Sequence, residues 1–169
     1  RSDMPYVQGK KLSFSKVDTG SGKSEETMLC ALEDADGNLW FGNIDGTLTV
    51  CHIRTGRFVV HSLLVDGVAN RASVWALYMD NKNRLYVGTG DGLLLYNHQE
   101  STCVKLSAER YLNEKRQPFI RAIVQTKDGT IWLGTSNMGV CRLVESASGD
   151  ISVENGYEGR MNMEYRSVR

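Results

Sequence analysis

The 169-residue chain has two prolines, three histidines and no net charge, 20 Lys and Arg being balanced by 20 Asp and Glu. That balance argues against a broad surface for nucleic acid or for an anionic membrane, since both need an excess of Lys and Arg. No window approaches the roughly 18 consecutive apolar residues of a membrane span, so no direct membrane contact is expected of this segment. No signal peptide is visible, because Arg1 to Lys11 is polar and no apolar stretch follows. A cleaved leader would leave the same picture. The four cysteines, Cys30, Cys51, Cys103 and Cys141, include no C-x-x-C pair. Only Cys51 stands next to a histidine, His52, and adjacent residues of a strand point to opposite faces and could not grip one metal. No metal or cofactor is expected. The thiols read as buried and free, with one disulfide as the alternative. A nucleophile–base pair, a carboxylate dyad and a phosphate loop are missing too. Thr19-Gly20-Ser21-Gly22-Lys23-Ser24 lacks the full phosphate-loop spacing and reads as a connection between repeats.

What is present is a repeat. Asp36-Gly37-Asn38-Leu39-Trp40-Phe41-Gly42-Asn43 returns as Lys82-Asn83-Arg84-Leu85-Tyr86-Val87-Gly88-Thr89 and again as Asp128-Gly129-Thr130-Ile131-Trp132-Leu133-Gly134-Thr135. Gly42, Gly88 and Gly134 are spaced 46 and 46 apart. Met28, Val74 and Ile120 share a slot, as do Cys30, Ala76 and Ala122. The same register places Leu12, Phe58 and Val104 together, and Phe14, Val60 and Leu106. One extra residue near Asn137-Met138-Gly139 then shifts the frame, after which Ile151 and Val153 join the slots of Val104 and Leu106.

Each unit reads as four short antiparallel strands. The first is Met28 to Leu32, the second Leu39 to Gly42, the third Thr47 to Cys51 and the fourth Arg57 to His61, with counterparts in the later copies. Asp-Gly pairs supply turn chemistry. Four strands per unit at this period predict an all-β fold, a β-propeller segment of about three blades. The small slot Cys30/Ala76/Ala122 suits the crowded innermost strand, and the large slot Trp40/Tyr86/Trp132 suits packing between sheets. The expected division is one partial propeller, 1–169. Within it 12–27 ends a preceding blade and connects, 28–73, 74–119 and 120–167 are three repeats, and 168–169 open the next blade. Closure takes about four to eight blades, so a fragment with two exposed sheet faces is expected.

The pattern G-x-[LI]-[WY]-x-G-[TN], then Gly92-Leu93-Leu94-Leu95-Tyr96, resembles the two-component-regulator propeller repeat over residues 12–168. The middle copy departs with Asn83 and Tyr86, and the first with Asn43 and Gly46-Thr47. The resemblance implies a periplasmic sensor region of a bacterial hybrid two-component histidine kinase. It implies detection of a glycan-derived oligosaccharide, further blades and a downstream β-sandwich as partners within one receptor, and a receptor homodimer. It implies a binding role, not an enzyme. The motif residues themselves are scaffold.

Recognition is therefore expected in what fails to repeat. The fourth-to-first connections, Ser62 to Ser73, Ser107 to Phe119 and Glu154 to Ser167, differ from one another and should share one face with the second-to-third turns. They carry Asn70, Arg71, Arg110, Tyr111, Tyr157 and Arg160, donors and aromatics suited to sugar hydroxyls, uronates or sulfates. The slot Leu29/Trp75/Arg121 varies while its neighbours do not, which makes Trp75 the best single candidate and Arg121 its companion. Asp45, Asp91 and Asn137 read as turn residues, and His52 and His98 as exposed turn residues. A protein–protein scaffold and a polysaccharide-processing propeller enzyme remain as alternatives. A sialidase-type Asp box is not matched, since Ala35 and Lys127 stand where its Asp would be.

Overall fold

A computed structural model of the chain describes residues 27–98, 100–106 and 117–155. The readings made above for 12–26, 107–116 and 156–169 lie outside the described residues.

The described chain is all-β, with three antiparallel sheets in succession. The first holds β1 (Met28–Glu33), β2 (Leu39–Asn43), β3 (Thr47–His52) and β4 (Arg57–Ser62) in sequential order. Two short strands follow, β5 (Leu64–Val65) and β6 (Val68–Ala69). The second sheet is β7 (Val74–Met79), β8 (Leu85–Thr89), β9 (Gly92–Asn97) and β10 (Thr102–Leu106), extended at its outer edge by β5 and β6. The third is β11 (Ile120–Gln125), β12 (Ile131–Thr135), β13 (Val140–Glu145) and β14 (Ile151–Asn155). These are three propeller blades. Their first strands, β1, β7 and β11, lie side by side where the sheets converge.

Strand alternation builds two cores. From the first blade Trp40, Leu48 and Val50 face the second, which answers with Leu85, Val87, Leu94 and Tyr96. The opposite face of the second blade offers Tyr86, Leu93 and Leu106 to Ile131, Leu133 and Cys141 of the third. The middle blade is thus buried on both sides, and every residue of β8 is buried.

Gly42 and Gly88 explain the fixed glycine of the motif. A Cβ at Gly42 would lie 2.6 Å from Cys30 Sγ and would also strike Val74 of the next blade. One at Gly88 would lie 2.6 Å from Ile120 Cγ2 of the third blade. Adjacent first strands approach this closely only because side chains are small there.

The turns repeat bond for bond. Ile44, Gly90 and Ser136 each donate a backbone N–H to the residue just before the first strand, Thr27, Ser73 and Phe119. Asn83 takes the turn position of Gly37 and Gly129 with φ 61°, a conformation that asparagine tolerates. All four cysteines are free, as one of the two readings held.

Two expectations need correction. The fourth-strand slots do not hold at the 46-residue spacing. Leu95 pairs with Val104 and its equivalent Val50 pairs with Val59, so Val59 and not Phe58 matches Val104. In the same way His61, which pairs with Leu48, matches Leu106, which pairs with Leu93. In the third blade Leu143 pairs with Val153, which matches Cys103 and not Leu106. The reason is turn length. The β2–β3 turn has one residue more than β8–β9, and a one-residue slip moves a side chain to the other face. The Ser62–Ser73 connection is also not simply a loop. It carries the β5–β6 ribbon, closed by Asp66 and Gly67 at φ 49° and 77° and laid parallel against β10.

Candidate functional site

The pairing of each first strand slips at one point. Cys30 pairs with Gly42 and Met28 with Asn43, so Leu29 is an extra residue between them. The same slip isolates Trp75 between Val74 and Ala76, and Arg121 between Ile120 and Ala122. The variable slot of the sequence is thus a β-bulge in every described blade. A bulged residue is released from the ladder and its side chain is re-aimed.

Trp75 and Arg121 sit on neighbouring innermost strands, and the bulges bring them together. The Arg121 guanidinium carbon lies 3.9 Å from the centre of the Trp75 ring, a close cation–π stack, and 5.7 Å from the Phe119 ring. Arg121 Nε donates to Ser136 Oγ at 2.8 Å, which fixes the side chain against the β12–β13 turn. Its terminal nitrogens have no hydrogen-bond partner among the described residues. Arg121 is exposed and Trp75 half-buried. An aromatic wall beside a guanidinium fork can stack a ring and take a carboxylate or sulfate.

The second-to-third turns and the fourth-to-first connections do share a face. Ser73 Oγ donates to Ile44 O at 2.7 Å, and Asn137 takes Phe119 N–H at 2.8 Å while donating to Gln117 O at 3.0 Å. Asn70 belongs to this stitching. Its amide donates to Gly46 O at 3.3 Å and Ala72 O at 2.9 Å and accepts from Ala72 N–H, so all its polar atoms are engaged by backbone. Arg71 is exposed beside it, on a groove of about 400 Å³ that also meets the Lys105–Asp91 ion pair. Arg71 lies in a different place from the Trp75–Arg121 pair. Arg110, Tyr111, Tyr157 and Arg160 lie outside the described residues.

The sequence reading passed over a repeated device on the opposite face. Asp34 accepts N–H bonds from Asp36 and Asn38 on one oxygen and from Trp40 Nε1, at 2.9 Å, on the other. Burial works to raise its pKa, but the bonds from Trp40, Asn38 and Asp36 outweigh it and hold the carboxyl below its usual range. Asp80 repeats the arrangement with Lys82 N–H, Arg84 N–H and the Tyr86 hydroxyl. Burial pushes that hydroxyl up to about 12 despite the nearby Arg84, so it remains a donor. The 46-residue spacing of Asp34, Asp80 and Thr126 could have revealed the device, since each directly precedes a turn.

The fold and the bulged inner strands define a propeller whose variable positions converge near its axis. Residues 22–45, 67–91 and 115–137 match the family described as two component regulator propeller, one match for each of the three repeats. No curated protein matches the sequence. Among solved structures, the extracellular domain of BT4673 from B. thetaiotaomicron, named as a one component system, is similar with a TM-score of 0.58 at 22% identity, over 78% of this chain and 17% of that one. The extracellular domain of BT3049 from the same organism, named as a hybrid two component system, gives 0.58 at 20% identity, over 86% of this chain and 18% of that one. These likenesses share the fold, and the chain spans less than a fifth of either protein, 17% and 18%.

Proposed function

We propose that the chain is a ligand-sensing propeller segment of a two-component sensor histidine kinase, held on the periplasmic side of the inner membrane, and that it recognises a glycan-derived oligosaccharide. The carrying observation is the Trp75–Arg121 stack at 3.9 Å on bulged inner strands. A sugar ring offers a CH face to the indole and hydroxyls, or a uronate, to the guanidinium. The role is binding and not turnover. Adjoining blades and a downstream β-sandwich would complete the receptor, and differential affinity for two arrangements of its dimer would bias the kinase.

The test is calorimetry with neutral and uronate-bearing oligosaccharides, on this chain and on the propeller of its complete reading frame. Trp75→Ala and Arg121→Ala are each expected to weaken binding at least about tenfold, or roughly 1.4 kcal/mol. Unchanged affinity in both variants would remove the site. Turnover of a chromogenic glycoside would overturn the binding role.

A further inference from the structure

The clefts between blades open on the face opposite the second-to-third turns, and the two described clefts differ. Between the second and third blades, Lys82 Nζ lies 2.9 Å from Glu145 Oε1 and Arg84 Nη2 lies 3.1 Å from Glu145 Oε2. Arg84 Nε also holds Asp80 at 2.6 Å. The chain's own cations thus engage Glu145 and Asp80 in that cleft, whose volume is about 380 Å³.

Between the first and second blades the same positions are filled differently. Asp36 and Asn38 stand 46 residues before Lys82 and Arg84. Opposite them, His98 replaces Glu145. Gly88 pairs with Leu93 and Gly134 with Val140, and His98 and Glu145 lie five residues beyond those partners. The cleft is larger, about 640 Å³, a size typical of small-molecule sites. Trp40, Val50, Val59 and Met79 form its floor. Its walls carry Asp34, Asp36 and the Arg84-paired Asp80, and among the described residues no Lys or Arg lines it. They also carry His52, His61 and His98, which are all three histidines of the chain.

Strand alternation explains the gathering. His52 and His61 fall on the face of the first blade that carries Val50 and Trp40, and His98 follows Leu94 and Tyr96 on the facing side. Asp34 and Asp80 are engaged by their own turns. The Asp36 carboxylate and the His52 and His98 imidazoles have no hydrogen-bond partner among the described residues. His61 stacks 6.1 Å from Trp40, and its Nδ1 lies 3.1 Å from the Tyr96 hydroxyl. Burial, aided by nearby His52, holds its pKa below the usual value, so it is neutral in neutral solution.

We propose that this cleft binds a small organic cation, an ammonium group on an apolar or ring-shaped body, in the role that Lys82 fills in the neighbouring cleft. The Asp36 carboxylate, with Asp34 behind it, attracts the charge, imidazole nitrogens accept the ammonium hydrogens, and the body rests on the Trp40–Met79 floor. The ammonium could belong to an amino sugar or to a free amine. The site is separate from Trp75 and Arg121, so either proposal can fail alone.

The charge balance gives a pH signature. On the first blade Asp34, Asp36, His52 and His61 face the cleft, with Arg57 beyond His52 on the same face of β4. Across it stand Asp80 with its partner Arg84, then Tyr96 and His98. Imidazoles gain charge as pH falls from about 8 to 5, which here adds like charge around a cation. An anion would show the reverse.

The test follows the Trp40 indole and the three imidazoles by NMR while the full chain is titrated with glucosamine, N-acetylglucosamine or cadaverine. Glucosamine is expected to shift these signals saturably at about pH 7.5, and at least about tenfold more weakly at about pH 5.5. N-acetylglucosamine, the same ring without the charge, should leave them in place. A matching response to cadaverine identifies free amines as the source, and silence with cadaverine identifies amino sugars. Asp36→Asn, which breaks no side-chain contact, should weaken binding about tenfold. Asp36→Lys, which supplies the ammonium within the chain, should abolish it while leaving signals outside the cleft unmoved. Three results would overturn the proposal: no saturable shift with either ammonium probe, equal binding of N-acetylglucosamine, or tighter binding in acid.

Discussion

Gly42, Gly88 and Gly134 occupy one slot, yet their neighbours differ. A Cβ at Gly88 would meet Ile120 at 2.6 Å and Ala76 at 3.2 Å, whereas at Gly134, among the described residues, only Ala122 lies near, at 3.4 Å. Gly88→Ala should therefore cost about 1–3 kcal/mol in urea denaturation, as overpacked cores do, and Gly134→Ala should cost much less. Asp34→Ala orphans the Trp40 indole N–H and two turn amides, and a loss of about 1–3 kcal/mol is expected. Because the native pKa of Asp34 lies below its unfolded value, its contribution is complete above the ordinary carboxylate range and disappears as pH falls through the native pKa. Acid titration of wild type against Asp34→Ala should show the two stabilities converging below about pH 4. Burial pushes the thiols of Cys30 and Cys103 up to about 11 and about 12, so both should resist alkylation in the native state at neutral pH and react once unfolded. The glycine slot was legible because it recurs in one dimension. The Asp34 device was hidden because its third copy, Thr126, substitutes a hydroxyl for the carboxylate.

At the level of elements, the second strands were read within a residue of their observed ends, since an aromatic and a glycine at fixed spacing pin both faces. The fourth strands were placed out of register because they follow hairpin turns of unequal length. An aligned sequence conceals that inequality, and only strand pairing exposes it. The β5–β6 ribbon had a signal in Asp66-Gly67 flanked by Val65 and Val68, the chemistry of a two-residue hairpin. Its docking against β10 is a long-range parallel contact with no local signature. Gly67 has φ 77°, so Gly67→Ala should strain the turn by about 1–2 kcal/mol. Hydrogen exchange should then quicken in residues 64–69 while β8 stays protected. The bulges were visible only as a variable slot, since a sequence does not show that one residue of a strand is unpaired.

Across the whole molecule, the blades are joined by two apolar cores and, on one side, by the Lys82–Arg84–Glu145 clasp. Glu145 is solvent-accessible, so Glu145→Gln should lower the melting temperature slightly, with most of the difference gone in high salt. Position in the assembly also decides burial. Leu93 and Val140 occupy equivalent places, yet Leu93 is 0% exposed against the third blade and Val140 is 45% exposed on that blade's far side. The histidine-lined cleft belongs to this scale as well. The 46-residue spacing links His52 and His98 but leaves out His61, and only the facing of two sheets collects all three.

The bulge has one further consequence. Leu29, Trp75 and Arg121 stand outside the ladder, so an aliphatic, an aromatic and a cation have each been accommodated there on almost the same backbone. The side chain at this position can thus differ from blade to blade without disturbing the architecture, which makes the inner end of each blade an interchangeable part on a constant frame.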